Sequence, residues 1–516
     1  MIEAGIESAI GNLVDYGAKQ GLIADDDRAY VRNRIIEVLQ IEEYDLAAET
    51  SDCGDTPVDD LLAPILDWGV GTGLIEPDTV TERDLWDTAI MGCFVMYPSV
   101  ISQRFWDLHN EDSTAATDYF HHLSVASNYV RTGRTERDIW WHQDTRYGRL
   151  DITINLSKPE KDPRDIAKAA KKVRTAGQQP YPANLLVRDN EGYPGRTDHP
   201  ARQNLRLIPM ELGGERWFLQ YSPYEYYDEH AIVLSEAVRP MKIDGAAFGR
   251  LADFVDLVPH YFVGSNADLP IVGGSILSQD HFQGGGYEFA LDRANVDAAW
   301  DLTGLSGRIR VEVLRWPLAV LRLRGPRTEV LERATELLAA WREYSDPEHE
   351  VLAYTGETPH NTITPIARRV DGGLQLTLCL RNNRTSADHP DGIFHPHEHI
   401  HPIKKENIGL IEAMGLAVLP ARLATELDEV AVALMDGTEL PQHLMAHQPM
   451  LDALRTSYDG APSAAEAVSL VRRAAGDFFV RGLEHCGVFG DDTVAGCTRF
   501  LISLGWIPST ASSRKT

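Results

Sequence analysis

Apolar residues at Ile2, Ile6, Ile10, Leu13 and Val14 recur at helical spacing, and "DRAYVRNRIIEVLQI" continues in the same style. Residues 1–140 therefore read as a mostly helical region. The period then changes. In "RLDITINLSKPEKDP" the residues Leu150, Ile152, Ile154 and Leu156 alternate with polar ones, which predicts a half-buried strand. Strand-like runs follow at "RWFLQYSPYEYY", "HAIVLS", "RIRVEVLRW" and "LAVLRLRG", with the helical pattern "GAAFGRLADFVDLV" among them. "PRTEVLERATELLAAWREY" predicts a further helix, and "HNTITPIARRV" and "GGLQLTLCLRNN" return to alternation through Leu374, Leu376, Leu378 and Leu380. From about 455 the pattern is helical again, ending in the polar tail "STASSRKT". This mixture predicts an α+β fold: antiparallel sheets with packed helices in two related lobes, 141–330 and 331–455, between a helical N-terminal region and a helical C-terminal region, 456–516.

Charge narrows the classes. The chain of 516 residues carries 49 basic and 77 acidic residues, a net charge of -28, which argues against a general nucleic-acid binder. A small phosphorylated ligand remains compatible, because a few local donors serve one anion. The N-terminus has no basic region and no continuous apolar core, so no signal peptide is expected there. No stretch reaches the roughly 18 apolar residues of a membrane helix. Five scattered cysteines without metal-ligand spacing fit a reducing cytoplasm. There is no Walker lysine loop, dinucleotide fingerprint or His-Glu-x-x-His.

The stretch "DLPIVGGSILSQDHFQGG" concentrates chemistry. If Ser278 to Gln283 is extended, Gln279, His281 and Gln283 project from one face. Flanking glycines let backbone N–H groups approach an oxyanion. A neutral histidine at the centre of such a nest can attack phosphorus and later release it. The same pattern also suits a core histidine beside a glycine-rich turn.

That stretch closely resembles the signature of the second class of galactose-1-phosphate uridylyltransferases, the type typical of Gram-positive bacteria. "DYFHHLSVASNYVR", "YGRLDITINLSKPEKDP", "NEGYPGRTDHPARQN", "PHYFVGSNADLPIVGGS", "HNTITPIARR" and "FHPHEHIHPIKKENIGLIEAMGLAVLPARL" extend the resemblance over most of the chain. It implies membership of the histidine-triad superfamily, and transfer of UMP from UDP-glucose to galactose 1-phosphate through a uridylylated histidine. His281 matches the family nucleophile. Gln283 matches the last position of its His-x-His-x-Gln pattern, where an amide can hydrogen-bond a phosphoryl oxygen but cannot exchange protons near neutrality. Since a sugar phosphate leaves as an anion, glutamine there favours transfer over hydrolysis.

The resemblance also marks departures. Zinc-containing relatives place ligands where this chain has Asn184, Val187, Val238 and Gln279. Valine binds no zinc and amides bind it poorly, so no cofactor is expected and Gln279 is expected to fill the place by hydrogen bonding. Asn266, Gly273, Gly274 and Ser275 match a loop near the diphosphate, although a structural turn would look the same. Lys404, Lys405, Asn407 and Gly409 match a segment for the hexose 1-phosphate, with a solvated charge pair as the alternative. Arg422, Arg202 and Asn204 are weaker candidates that also suit a helix end or loop. His395, His397, His399 and His401 could share a strand face and hold a second metal near His395 and His397, or border a phosphate pocket. The expected partners are UDP-glucose or UDP-galactose, hexose 1-phosphates and a second copy in a homodimer, with neither nucleic acid nor membrane. Two rival activities stay open: direct use of UTP, and a silent UDP-sugar-binding relative, which Gln279 keeps alive.

Overall fold

The computed structural model describes residues 5–49, 52–157, 181–274, 276–303, 308–371, 373–458 and 460–506. They form two compact units: Met1–Arg137 with Ser157–Val238, and Asp138–Leu156 with Arg239–Thr516. Fifteen strands are present among the described residues. They are β1 (Ile139–Thr145), β2 (Gly148–Ile154), β3 (Ile208–Leu212), β4 (Glu215–Tyr221), β5 (Ala231–Ser235), β6 (Phe262–Gly264), β7 (His281–Gly285), β8 (Val296–Thr303), β9 (Arg308–Leu314), β10 (Val320–Gly325), β11 (Tyr354–Thr355), β12 (Thr358–Pro359), β13 (Asn361–Val370), β14 (Gly373–Asn382) and β15 (Leu416–Leu419).

In the first unit, helices Ile6–Lys19, Val58–Gly71, Val80–Met91 and Ser113–Ala126 accompany the antiparallel meander β3–β4–β5. Side chains cap two of them: Thr79 Oγ1 accepts from Glu82 N at 3.2 Å, and Asp112 from Thr114 N at 2.9 Å. Apolar positions Ile10, Leu13, Ile65 and Phe120 are fully buried. A charged network is buried with them. Arg131 pairs with Asp87 at 2.7 Å, and Asn128 Nδ2 bridges Asp87 and Asp59.

In the second unit seven strands run in the order β7-β6-β13-β14-β10-β9-β8, all antiparallel. Leu374, Leu376, Leu378 and Leu380 point to one face, against helices Gly245–Leu257 and Arg327–Glu343. Trp341 anchors the second helix by donating Nε1–H to the Thr362 and Arg381 carbonyls at 3.0 and 3.2 Å. A smaller sheet, β1-β2-β15, draws residues 138–156 into this unit, because β15 pairs in parallel with β2. Helix Ala464–His485 packs on β1, where Gln143 donates to Asp477 at 2.7 Å.

The α+β expectation and the positions of the strand-like runs agree with this architecture. One change of unit, at Arg137/Asp138, lies beside the boundary expected at 140, whereas 330 and 455 fall inside the second unit. Residues 331–455 join 239–330 because β10, β13 and β14 hydrogen-bond side by side in one sheet. Among the described residues no single helix is long and apolar enough to cross a membrane.

Candidate functional site

β6 and β7 form a short ladder, Phe262 opposite Gly285, Val263 opposite Gly284 and Gly264 opposite Gln283. Gly284 is required there: a Cβ would sit 2.6 Å from the Phe262 carbonyl oxygen. The extended run begins at His281 rather than Ser278, because Leu277 and Ser278 form a turn and Gln279 a bend. His281 and Gln283 therefore share one strand face, whereas Gln279 precedes the strand.

His281 is buried, and its Nδ1 lies 2.8 Å from the Gln279 carbonyl oxygen. A carbonyl only accepts, so Nδ1 carries the proton and Nε2 keeps its lone pair. Burial pushes the imidazole below the usual histidine value, against the opposing pull of that hydrogen bond. The ring is thus neutral at neutral pH, oriented with its Nε2 lone pair free of that hydrogen bond. Gln279 is itself fully buried, and its backbone sets the histidine tautomer. Gln283 is half-buried.

The residue between them has a role that sequence reasoning missed. Asp280 is buried, accepts from Arg239 Nε at 3.1 Å, and its N–H donates to the Arg239 carbonyl at 2.8 Å. This anchor fixes the chain immediately before His281. An aspartate directly before the histidine was the available signal, but its arginine lies 41 residues away.

The glycine loop and the downstream segment meet. A Cβ on Gly273 would stand 2.3 Å from the Ala267 carbonyl, and one on Gly274 would stand 2.7 Å from Asn266 Nδ2. Ile271 holds a φ of 74°, an uncommon value for a β-branched residue. Asn266 Oδ1 accepts from Leu410 N at 2.9 Å, Asn407 Nδ2 reaches the Gly273 carbonyl at 3.4 Å, and His395 Nε2 lies 3.1 Å from Asn407 Oδ1. Asn266, Gly273, Gly274, Asn407 and Gly409 thus form one cluster. Ser275 lies outside the described residues.

The predicted cations divide. Lys404 is buried and donates to Glu412 at 2.9 Å, and Glu412 also accepts from Gly409 N at 3.1 Å. Burial opposes its charge, but Glu412 and Glu406 outweigh that and hold it above the ordinary lysine value. Its charge is committed within the segment, whereas Lys405 is exposed. Arg422 donates to the Pro402 carbonyl at 2.9 Å and pairs with Glu426. In the first unit, Arg202 donates to the Ala201 carbonyl at 2.9 Å and lies over the Tyr129 ring, and Asn204 donates to the Ser127 carbonyl at 2.9 Å. These four side chains hold local structure.

The four positions where zinc-containing relatives carry ligands do not fit that metal. Asn184 Oδ1 accepts from Leu186 N at 2.8 Å, Val187 is buried, Val238 is exposed and Gln279 is an amide. None offers a thiolate or imidazole. The histidine run is not a strand either: Glu398–Ile400 is a 3₁₀ turn. Its rings stack instead. His397 lies between His389 and His485, with centroids 4.3 and 4.1 Å away, and His399 meets His485 edge-on at 5.0 Å. Among the described residues no group of three or more His, Cys, Asp or Glu is arranged to hold a metal ion. His485, distant in sequence, could not have been paired with this run beforehand.

Desolvated histidines predict acid lability. Desolvation, then neighbouring His397 and His399, push His485 down to about 3, and desolvation, then Arg196 and Arg202, push His199 down to about 4. A folded-state value below the unfolded one, about 6.5 for histidine, contributes stability that is full above pH 6.5 and lost as pH falls toward the folded value. The melting temperature should therefore fall progressively from pH 7 to pH 4, and less steeply for His485→Asn. Identical profiles for the two proteins would remove His485 from this account.

Two family models match the chain: the N-terminal domain of galactose-1-phosphate uridyl transferase over residues 21–240 and its C-terminal domain over 254–448. A galactose-1-phosphate uridylyltransferase of Clostridium acetobutylicum is 45% identical over 492 residues, 94% of this chain and 96% of that one. One of Bacillus subtilis is 45% identical over 515 residues, covering 97% and 98% of the two chains. One of Fusobacterium nucleatum is 47% identical over 430 residues, 83% of each chain. With family models over most of its length and full-length relatives at this identity, the chain belongs to the galactose-1-phosphate uridylyltransferase family.

Proposed function

We propose that this protein is a nucleotidyltransferase that moves a uridylyl group from UDP-glucose to galactose 1-phosphate by double displacement at His281. The observation that carries the mechanism is the hydrogen bond from His281 Nδ1–H to the Gln279 carbonyl, 2.8 Å long, which leaves the Nε2 lone pair as the attacking group. Nε2 attacks the α-phosphorus of UDP-glucose. A phosphorus–nitrogen bond forms, the bond to the bridging oxygen breaks, and glucose 1-phosphate departs with the electron pair as an anion. A phosphate oxygen of galactose 1-phosphate then attacks the same phosphorus and restores the neutral imidazole.

Gln283, on the same strand face, hydrogen-bonds a non-bridging phosphoryl oxygen through its amide N–H in this reading. The Asp280–Arg239 anchor keeps the ring in its productive tautomer and direction. The homodimer, the cytoplasmic setting and the expected absence of a zinc requirement belong to the same proposal. Double displacement predicts that labelled glucose 1-phosphate exchanges into UDP-glucose without any galactose 1-phosphate. Net turnover without such exchange would require a single direct displacement and would refute the covalent route. Exchange of labelled pyrophosphate into UTP at a comparable rate would favour the UTP-dependent reaction.

A further inference from the structure

Arg381 is a buried charge with no part in the chemistry at His281. It sits near the end of β14, directly across from Thr362, and is 1% exposed. Its Nη2 donates to the Ile408 carbonyl at 2.9 Å, while buried Nε and Nη1 have no hydrogen-bond partner among the described residues. No carboxylate of a described residue pairs with it. Two thiols lie in its field, Cys379 and Cys486; burial pushes them up to about 12 and about 11, so neither supplies a counter-charge. A buried guanidinium with unmet donors is costly unless an anion completes it.

The register gives the missing anion a place. Cross-strand partners share a face, so Gln283, Gly264, Ile366 and Thr377 form one row across β7, β6, β13 and β14. His281, Thr364 and Arg381 lie on that same face by alternation, opposite the leucine face that meets the helices. Thr364 Oγ1 is likewise buried without a partner. The face is covered at Gly264 by Leu410, and at Arg381 by the irregular segment Asn407–Gly409, which the cluster above ties to Gly273.

We infer that Arg381, with Thr364, receives the phosphate of the sugar 1-phosphate: the group that leaves in the first displacement and attacks in the second. This rests on the transferase reading of His281. The segment Asn407–Gly409 must shift to admit the anion, so binding of the phosphate and movement of that segment are coupled. A guanidinium suits this task because its planar fork matches two phosphate oxygens at once. Phosphate is the whole of the recognition assigned here, and sugar identity is read elsewhere.

The test uses the full chain and two probes, galactose 1-phosphate and inorganic phosphate, added without nucleotide. Arg381→Met replaces an uncompensated charge with an apolar group of similar length, and Thr364→Val is isosteric. Wild type should gain thermal stability with either probe. Arg381→Met should lose that gain and raise the KM for galactose 1-phosphate by about tenfold or more, the scale of one charged hydrogen bond. Thr364→Val should raise it by a smaller factor. If folded Arg381→Met binds both probes as wild type does, the inference is overturned; if Arg381→Met does not fold, unchanged binding and KM in Thr364→Val overturn it instead. A wild type that binds both probes through Arg381 yet forms no uridylyl adduct keeps the anion site and removes the transferase reading.

Discussion

His281→Ala should lower uridylyl transfer by on the order of 10⁴-fold or more, because in the proposed double displacement it deletes the attacking atom rather than weakening a contact. The fold should survive. The side chain is replaced by one that fits the same strand, and its hydrogen bond is to a backbone carbonyl, so the variant should bind UDP-glucose near wild-type strength while failing to turn over. Stopped turnover with retained donor binding separates the loss of a nucleophile from collapse of the site. His281→Gln is a sharper version. An amide can occupy much of the same volume and hydrogen-bond a phosphate, but it cannot form the covalent intermediate. Residual activity within about tenfold of wild type in either variant would place the reacting atom elsewhere.

The second large effect lies far from that chemistry. Arg131→Met should destabilise the protein by roughly 3–5 kcal/mol, the usual cost of breaking a buried pair by removing one partner. Asp87 would be left fully buried without the guanidinium that balances it, and burial already pushes its carboxyl above the ordinary range. Among the described residues, the Asn128 amide is the side chain that would still reach it. The double variant Asp87→Leu with Arg131→Met should recover part of the loss, because no orphaned charge remains. Chemical denaturation of the single and double variants measures both terms. A single variant as stable as wild type would mean that water reaches Asp87.

Much of this architecture is legible in the sequence. The alternation through Leu374, Leu376, Leu378 and Leu380 specifies a strand with one apolar face, and β14 presents those residues to a helix layer. The helix over Arg327–Glu343 follows from its period and composition. In the candidate site, the type and order of residues identified His281 and Gln283 as partners on one face. Tertiary pairing decided what sequence could not. Nothing local shows that Lys404 is buried against Glu412, since a Lys-Lys-Glu run reads as solvated surface. The four alternate histidines suggest a strand, but Pro396 and Pro402 break the ladder and the rings stack on His485 from a distant helix. Arg381 closes an ordinary alternating strand, and only its surroundings mark it as unusual.

The central claim is a covalent uridylyl-histidine, and the most direct measurement is the intact mass of the protein after incubation with UDP-glucose, beside His281→Ala. The account predicts a gain of one uridylyl group in the wild type, none in the variant, and its discharge by galactose 1-phosphate with formation of UDP-galactose. A wild type that turns over UDP-glucose and galactose 1-phosphate with no adduct at any time, or an adduct that persists in His281→Ala, would contradict it.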